Sequence, residues 1–149
     1  PTCESYGQVS RFGPQTHRAN NERRRAMNKY VLSIGSNCPV RQANMMNLIR
    51  LLKREFPTDF WISETYESPA LNGISPAYLN AVAVVFSEQN HNDMRSMMKS
   101  FEQKFGRNTE SKKSGIVEMD LDIVIVNDEI VRPKDYARDY FTIGYNQFK

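Results

Sequence analysis

Four short stretches rich in apolar residues predict β-strands, and in the second and fourth of them hydrophobic and polar positions alternate with the two-residue period of a strand. These stretches are KYVLSI (29–34), FWISETYES (60–68), YLNAVAVVF (78–86) and EMDLDIVI (118–125). In two other stretches the apolar residues recur every three or four positions, which predicts two amphipathic helices. The apolar positions are Met45, Leu48, Ile49, Leu52 and Phe56 in the first helix, and Met94, Met97, Met98, Phe101 and Phe105 in the second.

Turn-forming and helix-stopping residues separate these elements. Pro57 stops the first helix, whereas Asn92 is the expected cap of the second helix and Gly106 its terminator. Residues 35–37, Gly-Ser-Asn, predict a turn after the first strand, and residues 127–128, Asn-Asp, predict a turn into a short EIV strand.

The order of the predicted elements, β-α-β-β-α-β, is typical of the ferredoxin-like fold. We therefore expect an α+β sandwich in which both helices cover one face of a mostly antiparallel sheet. The other face of the sheet is then available for a ligand.

The last predicted strand contains two carboxylates in an otherwise apolar run. Asp120 and Asp122 are two residues apart, so they point to the same face of the strand. The opposite face carries Leu121, Ile123 and Ile125. Two like charges at this separation repel each other, and a hard divalent cation such as Mg²⁺ neutralises them. We expect the pair on the uncovered face; the alternative is an exposed or edge strand whose charges discourage aggregation.

The net charge of the chain lies in its first 28 residues. The 149 residues carry a net charge of +3, and five of the 20 basic but only two of the 17 acidic residues lie in 1–28. The remainder is neutral, so the basic pI is no evidence for nucleic-acid binding. We expect 1–28 to be a disordered or loosely attached basic tail, in which ERRR (22–25) is a solvated charge run, and 29–149 to be the folded domain. Met27, just before the regular pattern, is a candidate start of the native chain.

Cysteine use and hydropathy indicate the compartment. Cys3 and Cys38 provide neither a disulfide framework nor a metal-ligand spacing, so a reducing cytoplasm is the default expectation. No apolar run approaches the roughly 18 residues of a membrane span. We expect a cytoplasmic monomer with small-molecule partners that binds neither membranes nor nucleic acid. An RNA-binding ferredoxin-like module is disfavoured because its K/R-G-F-G-F signature is missing from the strands.

Five short motifs occur in an order that resembles one enzyme family. They are IGSN (34–37), TYESPAL (65–71), YLNAV (78–82), FEQKFGR (101–107) and DLDIVI (120–125). Together they resemble the 6-hydroxymethyl-7,8-dihydropterin pyrophosphokinases of folate biosynthesis, over about residues 29–143. The resemblance implies transfer of a pyrophosphoryl group from ATP to the hydroxymethyl oxygen of the pterin, with Mg²⁺ as cofactor.

The resemblance also implies roles for individual residues. The expected catalytic residues are Asp120, Asp122 and Arg107, of which Asp120 and Asp122 would hold the metal. The expected pterin contacts are Ser68, Leu71, Tyr78, Asn80 and Phe141. The expected nucleotide contacts are Glu102, Arg107, Lys112, Lys113, Ile123 and Arg138.

The sequence departs from the family pattern on the ATP side. Thr109 stands where the family has a second Arg, Ser114 where it has Trp, Val117 where it has the Arg before the strand, and Glu118 where it has Thr. The family His after this strand is missing, and in place of an R-x-F motif Asp139 lies two residues before Phe141, with Arg138 one residue out of register. We therefore expect weakened activity, with Lys112, Lys113, Arg132, Lys134 and Arg138 as substitute phosphate contacts. The alternative is a non-catalytic relative that binds a pterin or a nucleotide.

Overall fold

Two long helices pack on one face of a six-stranded antiparallel sheet in the computed structural model, which describes residues 22–107 and 114–149. The strands are β1 (Asn28–Ser36), β2 (Phe60–Ile62), β3 (Tyr66–Ser68), β4 (Tyr78–Ser87), β5 (Asp120–Val126) and β6 (Glu129–Ile130). The helices are α1 (Arg41–Glu55), α2 (His91–Lys104), α3 (Pro133–Tyr136) and α4 (Asp139–Tyr145), followed by a 3₁₀ turn (Asn146–Phe148). In the described ranges, no helix is long and apolar enough to cross a membrane.

The strand order confirms the predicted ferredoxin-like α+β fold. The sheet runs β2-β4-β1-β5-β6, and β3 also pairs with β4. The single strand predicted over 60–68 is divided into β2 and β3 by Ser63. The Ser63 hydroxyl accepts a hydrogen bond from the Val82 backbone N at 2.9 Å, so a side chain replaces the main-chain acceptor at this point of the ladder.

The main core lies between the sheet and the two long helices. All ten apolar positions predicted for the helices contact this core, and Met45, Leu48, Leu52, Met94 and Met98 are almost fully buried. Full burial of such a side chain contributes roughly 1.5–3 kcal/mol relative to exposure. The helical period of the sequence therefore predicted correctly which face of α1 and of α2 packs on the sheet.

A second apolar cluster occupies the face that the sequence predicted to be open. Helix α4 covers part of that face, and its Phe141 packs with Trp61, Val82 and Val124. Gly144 allows the close approach, because a Cβ at this position would lie 2.6 Å from a Val82 methyl group. The expectation of an uncovered face was therefore only partly right, and the ligand space is confined to the part that α4 leaves open.

A β-bulge changes the direction of one predicted side chain. Leu32 pairs with Ile123, but the preceding Val31 pairs with Ile125, so β5 has one extra residue at this point. Ile125 consequently belongs to the second cluster with Val31, and the prediction that it shares a face with Leu121 was wrong.

Three local expectations can be compared with the structure. The cap of α2 is Asn90 rather than Asn92, because its side chain accepts a hydrogen bond from the Asp93 N at 2.8 Å. Residues 35 and 36 continue β1 instead of forming a turn. The turn at residues 127–128 is confirmed, since both residues have positive φ, as a type I′ hairpin turn requires.

The ERRR sequence is anchored to the domain, and its interpretation as a solvated charge run was wrong. Arg23 donates to both carboxylate oxygens of Asp59 at 2.8 Å, and Arg24 donates to the same carboxylate at 3.1 Å. The Arg24 guanidinium also lies 4.7 Å from the centre of the Trp61 ring. Burial raises the pKa of Asp59, but the hydrogen bonds from Arg23 and Arg24 outweigh burial, and the pKa is lowered overall. Residues 22–27 thus pack against the folded domain.

Removing this anchor should destabilise the protein. A variant starting at Asn28 loses both guanidinium partners of the Asp59 carboxylate, which is only 8% exposed while they are present, and it also loses the contact of Arg24 with the Trp61 ring. Breaking such a pair costs about 3 kcal/mol, or roughly 10 °C in Tm for a domain of this size. We expect this loss in thermal unfolding at pH 7 relative to a variant starting at Glu22.

The same variants provide a control. Asp59→Asn in the short variant should recover part of the loss, because no charge is then left unpaired. The folded pKa of Asp59 lies below its unfolded value, so protonation of Asp59 at low pH removes the stabilisation by the arginines. The Tm difference between the variants starting at Glu22 and at Asn28 should therefore shrink as the pH falls below about 4. Equal Tm values at pH 7 would show that the anchor contributes nothing.

Candidate active site

A cavity of about 380 Å³ opens where β1, β3 and β4 meet the segments preceding β4 and β5. Its lining residues include Ser33, Gly35, Ser68, Leu71, Asn72, Ser75, Tyr78, Asn80, Gly115, Val117, Asp120 and Tyr140. We refer to it as the first cavity. Four of the five predicted pterin contacts line it, so residues far apart in the sequence are brought together at the open part of the sheet.

Asn80 provides a fixed polar group in this cavity. It is 3% exposed, and its amide nitrogen donates to Ser68 Oγ at 2.7 Å and to the Tyr66 carbonyl at 3.3 Å. With both amide hydrogens engaged inside the protein, Oδ1 is the atom that Asn80 can offer to a ligand. Gly35 on the neighbouring strand provides the space, because a Cβ there would lie 3.2 Å from this oxygen.

Tyr140, not Phe141, provides the second aromatic side chain of the cavity. Phe141, which was predicted to contact the pterin, is instead fully buried, stacks on Tyr145 with a centroid separation of 5.2 Å, and does not line the first cavity. Tyr140 lines the cavity with Tyr78. Burial and the hydrogen bond to Asp135 raise the pKa of Tyr140, which keeps its phenol neutral.

With Tyr140 as the aromatic residue of the cavity, the sequence also matches the R-x-F spacing of the family that it resembles. Tyr140 lies two residues after Arg138, so the R-x-aromatic spacing is kept with Tyr in place of Phe. The sequence signal was present but was assigned to the neighbouring aromatic residue.

Three carboxylates converge beside the first cavity. One oxygen each from Glu102, Asp120 and Asp122 lies within 4.8 Å of the others. Glu102 is held in place because its Oε2 accepts a hydrogen bond from the Leu121 N at 2.7 Å. Glu102 thus joins the predicted Asp pair, although the sequence placed it only among nucleotide contacts. Three hard oxygen donors on two rigid elements fit a Mg²⁺ ion, which prefers such ligands.

The electrostatics of this carboxylate cluster favour a bound cation. Burial, and then the neighbouring Asp120, raise the pKa of Asp122 to about 7. Burial also raises the pKa of Asp120. Arg107 approaches Asp120 at 3.5 Å, and Arg132 approaches Asp122 at 4.0 Å, so each guanidinium only partly compensates its carboxylate. A divalent ion would stabilise the ionised form of the cluster.

Magnesium binding should therefore depend on pH. Because the folded pKa of Asp122 is raised, the metal-free protein should lose stability as the pH rises from about 4 to 7, while Mg²⁺ should restore it at pH 7 to 8. Below pH 7 a proton competes with the metal, and the Mg²⁺ dissociation constant should rise up to about tenfold per pH unit. Calorimetric titration of MgCl₂ at pH 6, 7 and 8 measures this effect, and a pH-independent constant would contradict it.

A second cavity of about 220 Å³ lies on the other side of the cluster, between α2 and β5. Of the predicted residues it contains Ile123, Arg132 and Asp122, and to these it adds His91, Arg95 and Lys99 from α2. These basic side chains of α2 were missed because the apolar period of the helix indicates only its buried face. Their spacing of four residues places them on one stripe and could have indicated them.

The remaining predicted nucleotide contacts are distributed differently. Lys112 and Lys113, like Thr109, lie outside the described residues. Arg138 and Lys134 are exposed and line neither of these two cavities. Among the described basic residues that were predicted to contact phosphate, Arg107 and Arg132 are therefore the ones that reach the carboxylate cluster.

The fold and this site together define a ferredoxin-like protein with a ligand cavity on each side of a carboxylate cluster. The sequence model of the family described as 7,8-dihydro-6-hydroxymethylpterin-pyrophosphokinase (HPPK) matches residues 31–147. The chain belongs to this family, whose members are pyrophosphokinases of folate biosynthesis that use ATP and Mg²⁺. A comparison with curated proteins gives no significant match.

Proposed function

We propose that this protein transfers pyrophosphate from ATP to 6-hydroxymethyl-7,8-dihydropterin, at a rate below that of family members with the full set of arginines. One observation carries the proposal: Asp120 lines the first cavity, whereas Asp122 lines the second. A metal held by these two carboxylates and Glu102 would face both cavities. Two substrates that meet at one metal need this arrangement.

The first cavity suits the pterin. Its volume falls in the range of small-molecule sites, roughly 300–1,000 Å³. Tyr78 and Tyr140 offer aromatic rings to a flat heterocycle, and the Asn80 Oδ1 can accept a hydrogen bond from its polar edge. The hydroxymethyl group would then point towards Asp120.

The second cavity suits the nucleotide. Ile123, Leu121 and Val131 form an apolar wall, and Arg95, Lys99 and Arg132 add positive charge. In the reaction, the pterin hydroxyl oxygen forms a bond to the β-phosphorus of ATP, the bond between that phosphorus and the α-phosphate oxygen breaks, and AMP leaves while the hydroxyl proton is lost. Mg²⁺, when bound, supplies neutralisation of phosphate charge. Arg107 and Arg132 lie beside the same carboxylates and can stabilise charge that develops on the phosphates.

One observation favours a second candidate function, binding without transfer. Val117 presents an apolar side chain to the first cavity at a position where the family has an Arg. Loss of an electrostatic donor of this kind costs roughly 3–4 kcal/mol of transition-state stabilisation. A protein that retained the pterin contacts but lost the arginines would bind its ligand without turnover.

Binding measurements distinguish these functions from an unrelated activity. Calorimetric titration with the dihydropterin, with and without Mg²⁺ and a non-hydrolysable ATP analogue, should show pterin binding that the analogue strengthens. Asn80→Ala should weaken pterin binding by about 1–3 kcal/mol, because the polar edge loses its partner. Wild-type protein with no pterin affinity would refute both functions.

A further inference from the structure

Asn37 is a buried amide with hydrogen bonds to two separate segments of the chain. It is 1% exposed, and its Nδ2 donates to the Pro76 carbonyl at 3.3 Å and to the Gly115 carbonyl at 3.0 Å. Its Oδ1 accepts from the Val117 N at 2.6 Å, and its own backbone N donates to the Val117 carbonyl at 3.1 Å. The side chain is thus used fully inside the protein.

The two segments that Asn37 joins both line the first cavity. Residues 69–77 contribute Leu71, Asn72 and Ser75, and residues 114–117 contribute Gly115 and Val117. Asn37 itself is not among the lining residues of this cavity. The two segments also touch directly, because a Cβ on Gly115, which has φ +78°, would lie 2.5 Å from the Ser75 hydroxyl.

We propose that Asn37 is a positioning residue that holds these two segments together and thereby sets the width of the first cavity. The identity of the ligand, a pterin, rests on the proposed function. An amide is required because the side-chain nitrogen must donate to two carbonyls while the side-chain oxygen accepts from a backbone N–H. A carboxylate would repel both carbonyls, and an apolar residue would remove the side-chain partner of all three groups, the Pro76 and Gly115 carbonyls and the Val117 N–H.

Asn37→Ser tests the proposal, because serine is too short to make all three side-chain bonds. We expect faster amide hydrogen exchange in both residues 69–77 and residues 114–117 of the ligand-free protein, with exchange in β1 and β4 unchanged. We also expect the pterin dissociation constant to rise about tenfold, while binding of the ATP analogue changes less than twofold. Asn37→Asp should have the larger effect on both measurements.

Asn90→Ala is the matched control, since it removes another amide hydrogen bond at the start of α2, away from the first cavity. It should increase exchange only near the start of α2 and leave pterin affinity unchanged. Faster exchange in only one of the two segments, or in neither, would overturn the proposal. So would equal weakening of pterin and nucleotide binding. The exchange experiment needs no ligand, so failure of pterin binding in the wild type would refute the proposed function and leave the role of Asn37 to be decided by exchange.

Discussion

Asp122→Asn should lower the rate of AMP formation about a thousandfold, equivalent to about 4 kcal/mol of barrier. Asp122 is one of the three carboxylates whose oxygens converge, and it lines the cavity assigned to ATP. Its amide replacement keeps the shape of the side chain but removes the charge that a divalent ion needs. Single-turnover formation of AMP at saturating Mg²⁺ measures the loss.

Asp93→Asn is the matched control for this substitution. Asp93 is an exposed acid in the first turn of α2 and lies in neither of the two cavities. Its replacement should leave the rate of AMP formation within about twofold of wild type, since the effect of such a surface substitution on stability rarely exceeds about 0.5 kcal/mol. If Asp122→Asn matched this control, the carboxylate cluster would have no catalytic role.

Phe141→Ala should destabilise the fold by about 3–5 kcal/mol, because it removes a fully buried ring with which α4 packs on the sheet and leaves a cavity. Tyr140→Ala, one residue earlier, should instead weaken pterin binding and change stability much less, since Tyr140 is half-buried and faces the first cavity. Chemical denaturation measures the first effect and calorimetric titration the second.

The pair of substitutions also decides which aromatic residue belongs to the site. Loss of pterin affinity in a folded Phe141→Ala protein, with normal affinity in Tyr140→Ala, would reverse the assignment. Equal losses in both variants would indicate that α4 acts only by covering the sheet.

Most of the fold follows from the periods of the sequence. The helical faces of Met45 and Met94 and the alternation of Leu121 with Asp122 were predicted correctly, because burial of these side chains is itself the physical cause of the pattern. Ile125 was placed wrongly because a β-bulge inserts a residue without changing the apolar character of the strand. The anchoring of Arg24 could not be predicted, since its partner Asp59 is 35 residues away in the sequence.

The residues that line the first cavity were predictable where they lie on strands with a recognisable motif. Tyr78, Asn80 and Asp120 line the first cavity because a strand fixes the direction of each side chain. Tyr140 was missed because the choice between adjacent aromatic residues depends on how a short helix rotates against the sheet. Arg95 was missed for a related reason, since only the packing of α2 determines that its polar stripe faces the second cavity.

Formation of AMP from ATP and 6-hydroxymethyl-7,8-dihydropterin tests the central claim most directly. The proposed function predicts that wild-type protein forms AMP and pterin pyrophosphate in equal amounts, that both products require Mg²⁺, and that turnover is slower than in family members with the full set of arginines. Wild-type protein that binds both substrates but forms no AMP at any Mg²⁺ concentration would contradict it and establish binding without transfer.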